Sequence, residues 1–152
     1  MWTSIVAAIA LLQAAATAAE SPGDTATVAK APEHQVIAVY FHRTQRCPTC
    51  KRIGALAEEA VLKGFPKEVK SRVVVFQFVD FQDKKNAALV KSYKVDGPVL
   101  VTANVFDGKV VRWEPLPKVW QLVGKPEELA AHVRGSVAAY LKQTKEEAES
   151  KE

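Results

Sequence analysis

The chain has two cysteines, and they stand three positions apart in the tetrapeptide Cys47-Pro48-Thr49-Cys50. The tetrapeptide follows an apolar run and opens a segment with helical spacing, which places both thiols on the first turn of a predicted helix. There the first sulfur can meet unpaired backbone N–H groups and the positive end of the helix dipole, which favour thiolate over thiol. The second thiol is near enough to close a disulfide with the first. The motif therefore indicates a centre that exchanges two electrons with other thiols.

Several other uses of a cysteine pair fit the sequence less well. A disulfide that closes so short a loop removes little entropy from the unfolded chain, which argues against a structural staple. A structural zinc ion takes four ligands, and the chain has no second cysteine pair. Of the histidines that could join the pair (His34, His42 and His132), His42 is the one expected near it, and a lone histidine at a strand end is more often a capping or packing group, so no metal is predicted. Covalent c-type haem needs a histidine where the chain has Lys51. No dinucleotide-binding glycine motif occurs either, and no cofactor is predicted.

Two interpretations from other classes stay open. Soft thiolates at this spacing bind Cu(I) well, so the pair also suits a metal shuttle that carries copper. The long final helix and the turn at Pro98 favour the redox interpretation over that one. The other alternative is a binding module in which the pair has no role.

The first nineteen residues predict a secretory signal peptide. Residues 5–12 form an apolar core, and the small residues after it place a cleavage site near Ala18 or Ala19. An apolar core of about eight residues is far shorter than the roughly 20 that span a bilayer, which favours a cleaved signal over a retained anchor and predicts no stable membrane span. We therefore expect an exported protein, periplasmic or extracellular, in a compartment where the pair can rest as a disulfide.

Length and charge limit the remaining function classes. A chain of 152 residues with 48% hydrophobic and 25% charged residues suits one domain with appendages. The net charge of +4 comes from Lys and Arg spread among Asp and Glu, without the basic cluster that tracks phosphates, so nucleic acid is not indicated. We expect a monomer whose partners are protein or small thiol and disulfide substrates and a redox partner protein.

The hydrophobic pattern predicts a domain over residues 35–143, between a flexible linker (20–34) and a charged, fraying tail (144–152). Strands are predicted at 35–42, 72–79, 99–106 and 110–113, and helices from 48 to about 64, at 83–93 and from about 126 to 141. The second strand is apolar enough for the interior of a sheet, and the aromatic residues are expected in the core: Phe76, Phe78, Trp113 and Trp120. The order strand-helix-strand-helix-strand-strand-helix predicts an α/β fold. We expect a four-stranded mixed sheet with helices on both faces. Its helix-connected strands should be parallel, and a hairpin should add an antiparallel edge.

This order of elements, with the cysteine pair after the first strand, resembles the thioredoxin fold. The stretch Tyr40-Phe41-His42-Arg43-Thr44-Gln45-Arg46-Cys47-Pro48-Thr49-Cys50 more specifically resembles a family of small exported thioredoxin-like proteins labelled nitrophenyl compound nitroreductase subunit ArsF. Residues 119–124 and the helix after them are also similar to that family. The resemblance implies a thioredoxin-like fold. It adds an alternative function, that of an electron-passing accessory subunit of a nitroreductase.

The resemblance also implies roles for single residues. Cys47 would be the exposed nucleophile and Cys50 the buried resolving thiol. Pro98, directly after Gly97, matches the cis-proline that faces the cysteine pair and helps to bind the substrate backbone, so a cis bond and a substrate-binding role are expected there. The chain departs from the thioredoxin pattern at this point, because no residue separates Gly97 from Pro98 and Val99 follows where a threonine is usual.

Three residues around the motif are expected to tune its pKa and potential. Arg46 stands where thioredoxins carry tryptophan, and it either stabilises the thiolate or points into solvent. Pro48 and Thr49 set the turn between the cysteines. The acid that thioredoxins bury behind the second cysteine falls at Tyr40 or Phe41, neither of which is acidic. The sequence as a whole predicts an exported thiol–disulfide oxidoreductase and leaves its direction open.

Overall fold

The structure, a computed structural model, describes residues 30–150. The predicted signal peptide and residues 20–29 of the predicted linker lie outside the described residues. The described part contains four strands and five α-helices, in the order β1 (His34–His42), α1 (Pro48–Gly64), α2 (Pro66–Lys70), β2 (Val74–Asp80), α3 (Ala87–Ser92), β3 (Val99–Phe106), β4 (Lys109–Pro115), α4 (Pro126–Leu141) and α5 (Lys145–Glu149). Two 3₁₀ turns, Lys84–Asn86 and Pro117–Trp120, precede α3 and α4.

The strands form a single mixed sheet in the order β2-β1-β3-β4. β1 runs parallel to β2 and antiparallel to β3, and β3 runs antiparallel to β4. The β3–β4 turn has positive φ at both Asp107 (50°) and Gly108 (74°), as the predicted two-residue hairpin requires. The prediction of a four-stranded mixed sheet within an α/β fold is confirmed.

Two predicted details of the sheet are wrong. β2 lies at an edge of the sheet and not in its interior, and β3 runs antiparallel to β1 and β2 although a helix joins β2 to β3. The six residues of α3 span about 9 Å, whereas the seven residues of β2 span about 23 Å. α3 therefore does not run the length of the sheet, and β3 starts at the end where β2 stops.

Side chains of β1 alternate between two hydrophobic clusters, one on each face of the sheet. Val36, Ala38 and Tyr40 pack in a cluster with residues of α1 and α4. Val39 and Phe41 point to the opposite face and pack with Tyr93, which follows α3. Helices therefore cover both faces, as predicted, and β1 is buried between them.

Three other expectations need correction. The predicted helix at 83–93 is divided into a 3₁₀ turn and the short α3, and Ala87 at the start of α3 is exposed. Phe78 is 39% exposed because it lies on edge strand β2, although one edge of its ring is against Gly54 of α1. The predicted tail contains α5, which begins with a capping box between Thr144 and Glu147 and buries Ala148.

Across residues 30–150, no helix combines enough length with enough apolar side chains to span a bilayer.

Candidate functional site

The first cysteine caps the N-terminus of α1. Cys47 has extended backbone angles (φ −69°, ψ 161°), and Pro48 occupies the first helical turn, where its missing N–H costs nothing. The Cys47 Sγ accepts a hydrogen bond from the backbone N–H of Cys50 at 3.1 Å. Serine or aspartate oxygens usually satisfy such an N–H at a helix start. Here a sulfur takes that place, and the side chain that carries it is exposed.

Hydrogen bonds to its sulfur lower the pKa of Cys47. The largest contribution comes from the side chain of Cys50 and the next from the backbone N–H of Cys50, while partial loss of solvent opposes both. A backbone hydrogen bond from Thr49 adds to the lowering. The first turn of α1 has no acidic residue, so no carboxylate competes with the sulfur for the positive end of the helix. The geometry therefore favours an exposed thiolate at Cys47.

The second cysteine has the opposite environment. Cys50 is only 8% exposed and faces the core beneath α1. Burial raises the pKa of Cys50, and the hydrogen bond of its thiol to Cys47 raises it further. Both thiols are free in this structure. The pair thus consists of one accessible sulfur that ionises easily and one protected sulfur that holds its proton.

The loop between β1 and α1 is fixed by the end of β2. The hydroxyl of Thr44 donates a hydrogen bond to Asp80 Oδ2 at 2.7 Å, and the backbone N–H of Thr44 donates to Gln82 Oε1 at 3.0 Å. The hydroxyl of Thr44 is the main cause that lowers the pKa of Asp80. These hydrogen bonds hold the segment before Cys47 against the carboxyl end of β2.

Arg46 does not extend freely into solvent. Its guanidinium carbon lies 5.2 Å from the ring centroid of Phe78, on the exposed edge of β2. The charge of Arg46 lowers the pKa of Tyr40, whereas the pKa of Cys47 is lowered by hydrogen bonds within the motif. Sequence reasoning had assigned Phe78 to the core and so missed this contact.

Gly97 and Pro98 lie at the same end of the sheet as the cysteine loop. Val99 pairs with Phe41, which places the two residues before it beside the carboxyl end of β1. The Gly97–Pro98 bond is trans, as is every peptide bond in residues 30–150, so the predicted cis bond is wrong. Most X–Pro bonds are trans, and the missing residue between glycine and proline was the sequence signal against the cis form. No hydrogen bond between described residues joins either position to the cysteines.

Tyr40 lies under α1 and close to the pair. Its ring is fully buried, and a Cβ placed on Gly54 would come within 3.0 Å of Tyr40 Cδ1. The hydroxyl has no hydrogen-bond partner among the described residues. Burial raises the pKa of Tyr40, and the charges of Cys50 and Cys47 raise it further. The sequence located Tyr40 beside the motif but gave no sign that its hydroxyl is unpaired.

Two of the three histidines considered as metal ligands have hydrogen-bond contacts, whereas the Nε2 of His132 is buried without a partner among the described residues. The Nδ1 of His42 is 2.8 Å from the carbonyl oxygen of Arg43, and the Nε2 of His34 is 2.7 Å from Asn104 Oδ1. Within residues 30–150, no group of three or more histidine, cysteine, aspartate or glutamate side chains is placed to hold a metal ion.

No family model matches the chain, and no curated protein matches it. Among solved structures, the chain is similar to one described as "Structure of a malarial protein". The identity is 17%, the likeness covers 66% of this chain and 96% of that chain, and the TM-score is 0.40. A likeness at that level carries no information about function.

Proposed function

We propose that the protein is an exported thiol–disulfide oxidoreductase with a thioredoxin-like fold. The observation that carries the proposal is the unequal environment of the two sulfurs. Cys47 is exposed with a lowered pKa, whereas Cys50 is buried with a raised pKa. Reactive cysteines have this electropositive, accessible environment, and structural cysteines do not.

In the reducing direction, the Cys47 thiolate attacks one sulfur of a substrate disulfide. A bond forms between Cys47 and that sulfur, and the other substrate sulfur leaves as a thiolate. Cys50 then loses its proton to solvent and attacks the Cys47 sulfur, which forms the Cys47–Cys50 disulfide and releases the second substrate thiolate. The protein has given two electrons and the substrate has gained two. The oxidising direction is the reverse of these steps.

The proposal of a thioredoxin-like fold is supported by the element order, the mixed sheet and the position of the pair after central strand β1. The proposal of export depends on the sequence of residues 1–19. The accessory role implied by the ArsF resemblance would use the same dithiol. It would need a partner protein that carries the flavin or nicotinamide group, because this sequence has no motif for one.

Exchange kinetics with single-cysteine variants test the proposal. We expect Cys47→Ser to reduce the exchange rate with a model disulfide to the uncatalysed level, because the accessible thiolate is gone. Cys50→Ser should still attack the disulfide but remain as a mixed disulfide, because no second thiol releases it. Mass spectrometry of the non-reduced protein detects the trapped species.

Equal and mild effects of the two variants would contradict the proposal and favour a pair without a redox role. Stoichiometric Cu(I) binding that requires both cysteines, with no exchange activity in the reduced protein, would favour the metal shuttle.

A further inference from the structure

The tyrosine beneath the cysteine pair lies in the same layer as the second thiol. Tyr40 projects from β1 to the sheet face that α1 covers. A Cβ on Gly54 would lie 3.0 Å from Cδ1 and 3.1 Å from Cε1 of Tyr40, so the helix backbone rests on the edge of the ring. Gly54 is four residues after Cys50, and residues four apart share one face of a helix. The phenol and the Cys50 thiol are therefore neighbours between helix and sheet.

Packing alone does not account for the oxygen atom of Tyr40. The side chain is completely buried, and its hydroxyl finds no hydrogen-bond partner among residues 30–150. A buried hydroxyl without a partner loses its hydration and gains nothing in return. A phenylalanine would fill the same space without that loss. The neighbouring residue on the strand, Phe41, fills the opposite face in this way.

Among charged groups, the two cysteines have the largest effect on the pKa of the Tyr40 hydroxyl. After burial, the charge on Cys50 and then that on Cys47 raise the pKa of Tyr40, while Arg46 acts in the opposite direction. The hydroxyl is thus within electrostatic range of both sulfurs. Because its pKa is raised, the phenol keeps its proton when the thiols ionise, and it is available as a donor but not as a base.

We propose that Tyr40 is a positioning residue for the resolving step, in which its O–H donates a hydrogen bond to the Cys50 sulfur as that sulfur becomes a thiolate. This inference rests on the proposed function. When Cys47 is in a mixed disulfide with substrate, its sulfur is no longer a thiolate that accepts a hydrogen bond from the Cys50 thiol. Cys50 therefore loses that hydrogen-bond partner. The Tyr40 hydroxyl then supplies a donor from the sheet side of the helix. The proton of Cys50 leaves to solvent, the Tyr40 proton stays on its oxygen, and Cys50 attacks the Cys47 sulfur.

The test is the pKa of Cys50 in Cys47→Ala protein, where Cys50 is the only thiol. NMR of isotope-labelled cysteine follows its ionisation without any exchange reaction. A hydrogen bond to an ionised acceptor is worth enough to shift a pKa by about one unit, so Tyr40→Phe should raise the pKa of Cys50 by about that amount. Tyr93→Phe is the control, since it removes the hydroxyl of another tyrosine with a largely buried side chain, on the opposite face of the sheet.

Kinetics supply a second readout in protein with both cysteines. A rise of one unit in the pKa of Cys50 lowers its thiolate fraction about tenfold, but the remaining thiolate is a stronger nucleophile, so resolution should slow about threefold. The midpoint of thermal unfolding should stay equal or rise in Tyr40→Phe, because the lost hydroxyl had no partner in the resting state.

An unchanged or lowered Cys50 pKa in Tyr40→Phe would overturn the inference, as would an equal rise in Tyr93→Phe. The pKa measurement holds even if the protein shows no exchange activity, which separates failure of this inference from failure of the proposed function. In the Cys47→Ala protein with Tyr40 intact, the Tyr40 ring resonances should shift at the pH where Cys50 ionises. Their constancy through that titration would likewise count against the contact.

Discussion

Helices α1 and α4 begin in similar ways and differ in what occupies their first turns. They contain 17 and 16 residues, pack on the same face of the sheet, and each has a proline in the first turn. α4 has two acids there, Glu127 and Glu128, and no side-chain cap. α1 has no acid in its first turn, and its cap is the sulfur of Cys47. At α4 the positive end of the helix interacts with carboxylates that are ionised in any case. At α1 it interacts with the Cys47 thiol, which ionises only when its surroundings favour the anion.

The two helices also differ in how closely they approach their neighbours. In α1, a Cβ on Gly54 would lie 2.8 Å from Phe78 Cε1 and 3.0 Å from Tyr40 Cδ1. In α4, a Cβ on Gly135 would meet nothing within 4 Å. The close approach at Gly54 brings α1 down onto the rings beside the motif. It is therefore part of the construction of the site, and Gly135 has no such role.

Replacing these two glycines by alanine should change stability in opposite directions. Gly54→Ala crowds a buried ring, which costs about 1–3 kcal/mol, against a gain of about 1 kcal/mol in helix propensity, so we expect net destabilisation of about 1 kcal/mol. Gly135→Ala gains the propensity without crowding and should stabilise by about 0.5–1 kcal/mol. Urea unfolding measures both. A stable Gly54→Ala protein with unchanged cysteine pKa values would show that the close approach has no importance for the site.

A smaller effect is expected at the start of α4. Glu127→Gln removes a carboxylate from the positive end of the helix and should lower the free energy of unfolding by no more than about 0.5 kcal/mol at low salt. The change should shrink as salt is added, because an exposed charge is screened. Urea unfolding at two ionic strengths checks this. A salt-independent loss would mean that Glu127 acts through a specific contact and not through the helix dipole.

Some elements of the fold could be predicted from the sequence and others could not, because only some of them have local sequence signals. Local signals in the sequence predict three features of the fold. A proline in the first turn marks the start of α1, a β-branched apolar run gives the bounds of β3, and a helical stripe gives the extent of α4. No local signal predicts that β2 lies at an edge of the sheet, because its apolar run would suit an interior strand equally well. The direction of β3 is not readable locally either, because the eighteen residues between β2 and β3 are long enough for a parallel or an antiparallel return, and the pattern over 83–93 overestimated the length of α3.

Within the site, the resemblance to the thioredoxin pattern implied that Cys47 would be exposed and Cys50 buried, and the structure has this arrangement. The trans bond at Pro98 and the contact of Arg46 with Phe78 depend on tertiary packing, as does the unpaired hydroxyl of Tyr40. The sequence Thr144-Lys145-Glu146-Glu147 contains the capping-box pattern of α5, but the high charge of the segment is equally typical of an unstructured tail.

The pKa of Cys47 is the quantity on which the account depends. Its lowered value in the folded, reduced protein means that the thiolate stabilises the fold above the pKa of an unfolded cysteine. That stabilisation is lost as the pH falls through the lowered pKa of the folded state. Thr49→Glu, which gives α1 the kind of acid that α4 carries, should raise the pKa of Cys47 back toward that of a free thiol.

The most direct measurement is the rate of iodoacetamide alkylation of Cys47 as a function of pH, in reduced Cys50→Ala protein and in the same protein unfolded in urea. Because Cys50→Ala removes the Cys50 thiol, the largest cause of the shift, the lowering that remains comes from the backbone N–H groups at the start of α1. We predict that Cys47 reacts readily in the folded protein, with a midpoint at lower pH than in the unfolded chain. A folded-state midpoint equal to or above the unfolded one, or a thiol that iodoacetamide does not reach, would contradict the account.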